Sequence, residues 1–449
     1  MSRHDEALRQ LLGRGPASAA RIGEVLGVSQ QAVSRAVVAL GDEVIRVGAA
    51  RSTRYLLRDR RRGLPDVSVH RIGEDGRILR LGVLVPVSPQ GWVMRPEQGT
   101  AIHHEGLPWW LADMCAAGFL GRAWAARHAS LLGLPARLTE WDDSEHLRAL
   151  LAQGHDAVGN LLLGDHAHER FLSAPVPPPV AADERGPVYA RLAAQAALGE
   201  IPGSSAGGEQ PKFIAFAETA AGPAHVIVKF TLPEVHPVTE RWADLLLAEH
   251  HALETLREAG IDAARTELID HGSQRFLQVE RFDRVGALGR RALLSLAMLD
   301  AEFTGAAPAP WPVIVDRLAQ ARHVEAAATS ACALLHAFGT LIGNTDMHPG
   351  NLSFIGAGRP YALAPAYDML PMGLAPTAGG ALPTRLTAPV LRPIVPGAAW
   401  RQALGLAERF MVRLHREDRF SARWAPCLQA LDQHLSPARM QIERMASSR

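Results

Sequence analysis

Cysteine is scarce in this chain of 449 residues: there are three, Cys115, Cys332 and Cys427. An odd number at wide spacing excludes a disulfide framework and lacks the close pairing of a zinc site, so we expect buried, reduced thiols. Long apolar runs are missing too. No stretch approaches the ~20 residues that cross a bilayer, which excludes a membrane role. Because no signal-peptide pattern precedes the first amphipathic helix, we expect a cytoplasmic, globular protein of two or three domains.

Lysine is almost absent. Of the 47 basic residues, only Lys212 and Lys229 are lysines, and both lie in one short stretch. Because arginine is the default cation here, a retained lysine favours a site that needs a compact ammonium, as phosphate-binding lysines do, over a planar guanidinium. Two residues can also cluster by chance, so this bias supports a phosphate site without deciding it.

Positive charge is concentrated at the start of the chain. The formal net charge is +1 overall, so any basic surface must come from segregation along the sequence. Residues 1–62 contain twelve arginines and six carboxylates, a net charge of +6. This segment has the charge of a module that faces a phosphate backbone.

The same segment has the pattern of a winged helix-turn-helix domain. Apolar periodicity predicts three helices, and Gly27–Ser29 supplies a tight turn and a cap for the third. Val44–Val47 and Arg54–Leu57 predict a two-stranded wing, and Arg58–Arg62 predicts a basic exit linker. Residues expected on double-stranded DNA are Gln30, Gln31, Ser34 and Arg35 in the major groove, and Arg51 and Arg54 on wing phosphates. The alternative is a helical domain used only for dimerisation or protein contact.

Residues 63–180 form a predicted second subdomain that ends in a stiff proline run, Pro175–Pro179. Its sequence predicts a strand at Ile78–Val85 and helices at Leu107–Gly118 and Glu145–Leu151.

The remaining residues, 181–449, predict a kinase domain of two lobes. Residues 181–233 are glycine-punctuated and β-rich, and most of 238–445 is helical in pattern. We place the small lobe at about 181–283 and the helical lobe at about 284–449. The predicted fold class is therefore α+β: a kinase-like two-lobed fold preceded by the winged helix-turn-helix domain.

The catalytic signal is the segment Asn344–Asn351, followed by Tyr367–Met369. These segments have the spacing of a kinase catalytic loop: an Asp, an Asn five residues later, and a second Asp about twenty residues further on. Asp346 suits the carboxylate that orients and deprotonates the attacking hydroxyl, and Asn351 and Asp368 suit the oxygen ligands of Mg²⁺. Such pairs also cap helices or build loops, so the motif alone is weak.

Two further segments strengthen the interpretation of this motif as a kinase catalytic loop. The glycine- and serine-rich turn that includes Ser204, Ser205, Ala206, Gly207 and Gly208 leads into Lys212, and its backbone amides could bind phosphates. The buried-strand pattern Val226–Phe230 carries Lys229, as kinase strands carry the lysine that reaches the α- and β-phosphates. The alternatives are that the glycine- and serine-rich turn is only a flexible loop and that Lys229 is an ordinary solvated lysine.

Together these segments resemble the HipA family of toxin kinases. The resemblance covers residues 190–375 well and the preceding subdomain more loosely; its marks are S-x-A-G before a lysine, V-I-V-K, E-R-F-D-R at Glu280–Arg284, N-T-D-M-H-P-G-N and A-Y-D-M. It implies an ATP- and Mg²⁺-dependent serine/threonine kinase with a protein substrate such as a translation component. It also allows an antitoxin partner and a homodimer. A DNA-binding regulator that binds nucleotide or a partner without turnover is the alternative function.

The resemblance also implies roles for single residues. Glu280 and Phe282 would line the adenine pocket, and a helical glutamate would pair with Lys229. Glu249 fits that position, with Glu240 and Glu254 as competing choices. His348 would shape the catalytic loop beside the nucleotide. Ser204 would be the autophosphorylated serine of the phosphate loop, but an added residue before Lys212 and the second serine, Ser205, leave the acceptor open. The N-terminal winged helix departs from the familiar HipA toxin, which relies on a separate antitoxin for DNA binding.

Overall fold

The computed structural model describes residues 3–198 and 210–447. The chain begins with a small helical domain whose helices are α1 (Arg3–Leu12), α2 (Ala19–Leu26) and α3 (Gln30–Leu40). An antiparallel wing follows, formed by β1 (Val44–Val47) and β2 (Arg54–Leu57). Both wing strands have the bounds that the sequence predicts.

Local chemistry sets the turn between α2 and α3. Gly27 ends α2 in the left-handed region, at a φ of 63°, which glycine adopts without a Cβ penalty. Ser29 then caps α3, accepting a hydrogen bond from the backbone nitrogen of Ala32 at 3.3 Å. Leu8, Ile22 and Val33 meet beneath this turn in one small core. The helix-turn-helix therefore depends on the glycine turn, the serine cap and the regularly spaced apolar side chains that form this core.

The wing packs directly on the next domain. Ile45 and Leu56 of the wing share a buried cluster with Val85, Val87 and Val93 of the following sheet. The backbone nitrogen of Ser88 donates to the carbonyl of Leu57 at 2.8 Å. Burial of these apolar side chains fixes the winged helix on its neighbour.

The predicted basic linker Arg58–Arg62 packs on the next domain through Arg62, whereas Arg60 and Arg61 are exposed. The Arg62 guanidinium donates to the carbonyls of Val87 (3.0 Å) and Gly91 (2.8 Å), pairs with Asp59 at 3.0 Å, and lies 4.6 Å from the centre of the Trp92 ring, where it makes a cation–π contact. The two carbonyls lie 25 and 29 residues further along the chain, so the local charge pattern could not predict these contacts.

The middle domain is built on a five-stranded antiparallel sheet, in the order β6-β5-β4-β3-β7. Its strands are β3 (Val67–Ile72), β4 (Ile78–Pro86), β5 (Trp92–Pro96), β6 (Ile102–His104) and β7 (Leu161–Leu163). Its helices are α4 (Gly118–His128), α5 (Asp143–Gln153) and α6 (Gly164–Ser173). The helix predicted at Leu107–Gly118 is instead a short 3₁₀ segment, Trp109–Met114.

The small lobe contains a four-stranded sheet in the order β10-β11-β9-β8. Its elements are α7 (Arg185–Ala197), β8 (Lys212–Thr219), β9 (Gly222–Phe230), α8 (Pro237–Glu258), β10 (Thr266–His271) and β11 (Gln274–Glu280). Two expectations need correction. Residues 181–233 include a helix, α7, because Tyr189, Ala193 and Ala196 bury one helical face. The hairpin β10–β11 lies in a stretch expected to be helical, and it turns at Gly272 with a φ of 59°.

The helical lobe forms the largest core of the described residues, around Trp311, Phe338, Trp400, Phe410 and Trp424. Its helices are α9 (Leu296–Phe303), α10 (Trp311–Gln320), α11 (Ala327–Leu341), α12 (Gly397–Arg416) and α13 (Ala425–Ser447). Its short strands are β12 (Arg284–Val285), β13 (Gly289–Arg290), β14 (Leu293–Ser295), β15 (Ser353–Ile355) and β16 (Ala362–Leu363). The α+β, two-lobed fold is thus confirmed. Within the described ranges, no helix is long and apolar enough to cross a membrane.

Candidate active site

A cavity of about 260 Å³ lies between the two lobes, and several of the predicted site residues line it. Its charged and polar lining includes Lys212, Lys229, Glu249, Asn351 and Asp368. These residues come from β8, β9, α8, the loop after α11 and the loop after β16. No single element could assemble this set, so the site depends on how the lobes pack.

The two lysines of the chain face each other across the β8–β9 pair. Lys212 and Lys229 are directly opposite in the strand register. Their residues are only 3% and 6% exposed, and both line the cavity. A buried lysine needs a charged partner or ligand to offset the cost of leaving water. The two lysines of this arginine-rich chain therefore occupy one buried location in the cavity wall.

Lys229 lies between two carboxylates. Its Nζ is 2.6 and 2.8 Å from the two oxygens of Glu249 and also contacts Asp368. The competing glutamates are engaged elsewhere, Glu240 with Arg423 at 2.9 Å and Glu254 with Arg257 at 2.6 Å. The structure thus places Glu249, and neither alternative, on the lysine.

Both carboxylates stabilise the Lys229 cation, whereas burial and the nearby Asp368 raise the pKa of Glu249 above its usual range. Burial alone would lower the pKa of Lys229, but the neighbouring Asp368 and Glu249 raise it above its ordinary value. Burial alone would raise the pKa of Asp368, but Lys229 and Lys212 hold it below its usual range. Lys229 is therefore a cation and Asp368 an anion at neutral pH.

Asp346 and Asn351 are joined within the catalytic loop. The Asn351 amide nitrogen donates to the Asp346 carbonyl at 2.8 Å and to its carboxylate at 3.3 Å. Asn344 accepts from the Asp346 backbone nitrogen at 3.0 Å and donates to the Asp368 carbonyl at 3.2 Å. Asp346 is exposed and does not line the cavity, whereas Asn351 is buried in its wall. This arrangement leaves the Asp346 carboxylate open to an incoming group.

Asp368 has a backbone conformation that is rare for a residue with a side chain. Its φ is +53°, in the left-handed region. Such strain persists only where the surroundings enforce it, and it is concentrated at functional sites. The neighbouring Tyr367 hydroxyl is hydrogen-bonded to the Gly350 carbonyl at 2.9 Å and to Ser353 at 2.7 Å. These contacts tie the Asp368 turn to the catalytic loop.

The donor set fits Mg²⁺. Because Asn351 uses its amide nitrogen for Asp346, its amide oxygen is left as a hard ligand, and Asp368 adds a carboxylate. Magnesium sites commonly combine one or two protein oxygens with phosphates and water. No group of three or more His, Cys, Asp or Glu side chains with metal-binding geometry occurs in the described ranges.

Two family models match parts of this chain. Residues 64–172 match a family model described as YjjJ-like toxin, middle domain, and residues 204–423 match one described as HipA-like C-terminal domain. Toxin YjjJ of Escherichia coli strain K12 is 38% identical over 440 residues, which cover 98% of this chain and 99% of that protein.

The chain belongs to the HipA-type toxin family. A solved structure of Shewanella oneidensis HipA, in a complex with HipB and its operator DNA, is similar with a TM-score of 0.50. It is 15% identical and covers 83% of this chain and 96% of that one. At this identity the likeness shows the fold alone. It agrees with the kinase-like architecture described above.

The segment Glu280–Arg284 joins the small lobe to the helical lobe, and we call it the hinge. Glu280 and Phe282 both line the cavity. The Phe282 ring lies 5.8 Å from that of Tyr367, so the hinge touches the turn that carries Asp368. His348, also in the lining, caps the short turn after it by accepting from the Gly350 nitrogen at 3.0 Å. Its Nε2 lies 3.9 Å from Asp346.

The middle domain supplies part of the cavity wall, which the sequence did not predict. Asp113, Cys115, Leu120 and Val158 line it. Asp113 accepts from the nitrogen and hydroxyl of Ser295 at 2.6 and 2.7 Å. Cys115 is half-buried, unlike the buried Cys332 and Cys427, and burial raises its pKa to about 12. None of the three thiols forms a disulfide, and no local motif marked the wall residues.

Two predicted sets lie partly outside what the structure describes. The phosphate-loop residues Ser204, Ser205, Ala206, Gly207 and Gly208 fall outside the described ranges. In the winged helix, Gln30, Gln31, Ser34 and Arg35 are all exposed along α3, and Arg54 is exposed on the wing. The Arg51 side chain also lies outside the described part. The exposed α3 face carries the residues predicted for the major groove.

Proposed function

We propose that this HipA-type protein is an ATP- and Mg²⁺-dependent serine/threonine protein kinase. The observation that carries the proposal is the convergence of Lys229, Glu249, Asn351 and Asp368 on one cavity between the lobes, with Asp346 hydrogen-bonded to Asn351 beside it. Kinases use a lysine held by a helical glutamate, together with an aspartate that binds Mg²⁺, for phosphoryl transfer.

The residues divide the reaction between them. Lys229 binds the α- and β-phosphates of ATP as a point charge, and Glu249 holds its ammonium in place. Asp346 orients the substrate hydroxyl and takes its proton as the hydroxyl oxygen bonds to the γ-phosphorus. The bond from that phosphorus to the ADP oxygen breaks. Asn351 and Asp368 would hold Mg²⁺, which neutralises charge developing on the phosphates.

We further propose autophosphorylation of the phosphate loop, on Ser204 first and on Ser205 as the substitute. The loop precedes Lys212, which lines the cavity. A phosphoserine adds roughly −1.5 to −2 charge, which would repel the triphosphate and compete for Lys229. We therefore expect slow self-inactivation after incubation with ATP and Mg²⁺, with phosphate mapped to Ser204 by mass spectrometry. An enzyme that phosphorylates another protein while both serines remain unmodified would refute this regulation and leave the kinase in place.

We also propose that the winged helix binds double-stranded DNA in cis. The support is its +6 charge over residues 1–62 and the exposed polar face of α3. The Shewanella HipA structure contains HipB and operator DNA; in this chain the fused domain would contact the operator itself, with or without an antitoxin partner.

For DNA binding by the full chain, Arg35→Ala should reduce discrimination between operator and random duplex by about 1–3 kcal/mol, because Arg35 faces the bases. Arg54→Ala should instead weaken binding to every sequence and flatten its salt dependence, because Arg54 faces phosphates. Titrations by fluorescence anisotropy at several salt concentrations separate the two effects. If the wild-type chain does not bind duplex at low salt, the domain serves protein contact instead.

A further inference from the structure

Beside the nucleotide cavity, five charged side chains form a group that we call the hinge cluster: Asp156, Arg281, Asp283, Arg284 and Arg290. Four of them belong to the interlobe hinge and the hairpin after it, and each of these is at most 8% exposed. The fifth, Asp156, comes from the middle domain. The cluster therefore joins two domains through four buried charges on the hinge side and the Asp156 carboxylate, whose side chain is 30% exposed.

The hydrogen bonds across this junction are numerous and short. Asp283 accepts from both Arg281 and Arg284, at 2.9 and 2.6 Å, and from the Gly159 backbone nitrogen at 3.1 Å. Arg284 also donates to three middle-domain groups: the Asp156 carboxylate at 2.7 Å and the carbonyls of Ala157 (2.8 Å) and Gly159 (3.0 Å). The middle-domain segment 156–159 thus encloses the hinge arginine.

Charge balance makes Asp156 the decisive member. The cluster contains three guanidinium groups and two carboxylates, so it already has one excess positive charge. Burial, and to a lesser extent the neighbouring Arg284, lowers the pKa of Arg290 to about 9. Burial alone would raise the pKa of Asp156, but Arg284 and Arg281 hold it well below its usual range. Without the Asp156 charge, three buried cations would face one anion.

Two members of the hinge cluster, Arg281 and Asp283, also form part of the wall of the nucleotide site. Arg281, Phe282 and Asp283 line the cavity, whereas Asp156 does not. Phe282 in turn packs against Tyr367, whose hydroxyl is bonded to the catalytic loop. If the hinge were displaced, the side of the cavity that we assign to the adenine would therefore move with it. The phosphate side would be affected only through the contact between the Phe282 and Tyr367 rings.

We propose that Asp156 is a positioning residue for nucleotide binding: a middle-domain carboxylate that neutralises Arg281 and Arg284 and so fixes the hinge in its nucleotide-binding conformation. The proposal rests on the kinase function proposed above. It assigns the middle domain a direct part in ATP affinity, although that domain contributes no residue to the catalytic loop.

The test compares ATP affinity and turnover in the full chain. Asp156→Asn preserves size and removes the charge, so the KM and the calorimetric Kd for ATP should rise about tenfold or more, because small misplacements of binding groups are costly. The kcat should change much less, since Asp346 and Lys229 are untouched. The control is Asp165→Asn, an exposed carboxylate of α6 in the same domain that accepts a bond from Ser68; it should leave both constants unchanged.

A second variant distinguishes charge balance from simple loss of packing. Adding Arg290→Gln to Asp156→Asn restores the original excess of one positive charge, so ATP affinity should partly recover. Should Asp156→Asn be too unstable to assay, Asp156→Glu keeps the charge on a longer side chain and should retain near wild-type affinity. A lower unfolding temperature with unchanged ATP affinity in Asp156→Asn would overturn the proposal while leaving the kinase intact. No ATP binding by the wild type would overturn both.

Discussion

Asp346→Ala should lower the rate of phosphoryl transfer by at least about 10²–10⁴-fold, because general-base catalysis contributes that much. The Asp346 carboxylate is exposed beside the cavity and held through Asn351, so it can accept a proton from a substrate hydroxyl. Its removal leaves no buried charge unpaired. The unfolding temperature and the Kd for ATP should therefore remain near those of the wild type.

The measurement is kcat from the initial rate of label transfer, alongside the thermal midpoint. A suitable control is Asp432→Ala, an exposed carboxylate of the helical lobe whose neighbour is His415 at 3.1 Å; it should retain full activity. Wild-type kcat in Asp346→Ala would remove the assigned role of the residue. A loss of folding in Asp346→Ala would contradict its exposed position.

Lys229→Arg should have the second largest effect, a fall in kcat of about 10²–10³-fold, which is typical when one electrostatic contact to the reacting group is lost. Arginine keeps the charge, but its planar fork cannot take the place of an ammonium held between Glu249 and Asp368. The residue is 6% exposed, so the larger group must also displace its neighbours.

The informative measurement is again kcat with the ATP Kd, and the matched variant is Lys212→Arg on the facing strand. Because Lys212 lies opposite Lys229 in the strand register and lines the cavity, we expect its replacement to weaken ATP binding more than turnover. A fully active Lys229→Arg would show that the scarcity of lysine carries no chemical meaning. That outcome would leave the carboxylates as the only support for the site.

Much of this site could be predicted because its chemistry is local in sequence. Asp346 and Asn351 stand five residues apart on one loop, and the two lysines stood out against an arginine-rich background. The winged helix was predictable for a similar reason: Gly27 and Ser29 act on their own neighbours. Motifs of this kind specify both the residue type and its local geometry.

The features that could not be predicted depend on distant partners. Asp156 reaches Arg284 across 128 residues, and Arg62 reaches Gly91 across 29. Each appears in the sequence as an ordinary surface charge, since burial follows only from how the domains pack. The same holds for Asp113, whose partner Ser295 is 182 residues away. Periodicity and spacing carry no information about such pairs.

The central claim is that the cavity transfers the γ-phosphate of ATP to a hydroxyl, and a two-label assay tests it most directly. The full chain is incubated with Mg²⁺ and ATP labelled either at the γ- or at the α-phosphate, and label on protein is quantified. We predict that γ-label is incorporated, that chelation of Mg²⁺ or Asp346→Ala abolishes it, and that α-label is never incorporated. Binding of ATP without transfer of either label, or transfer of the α-label, would contradict the account.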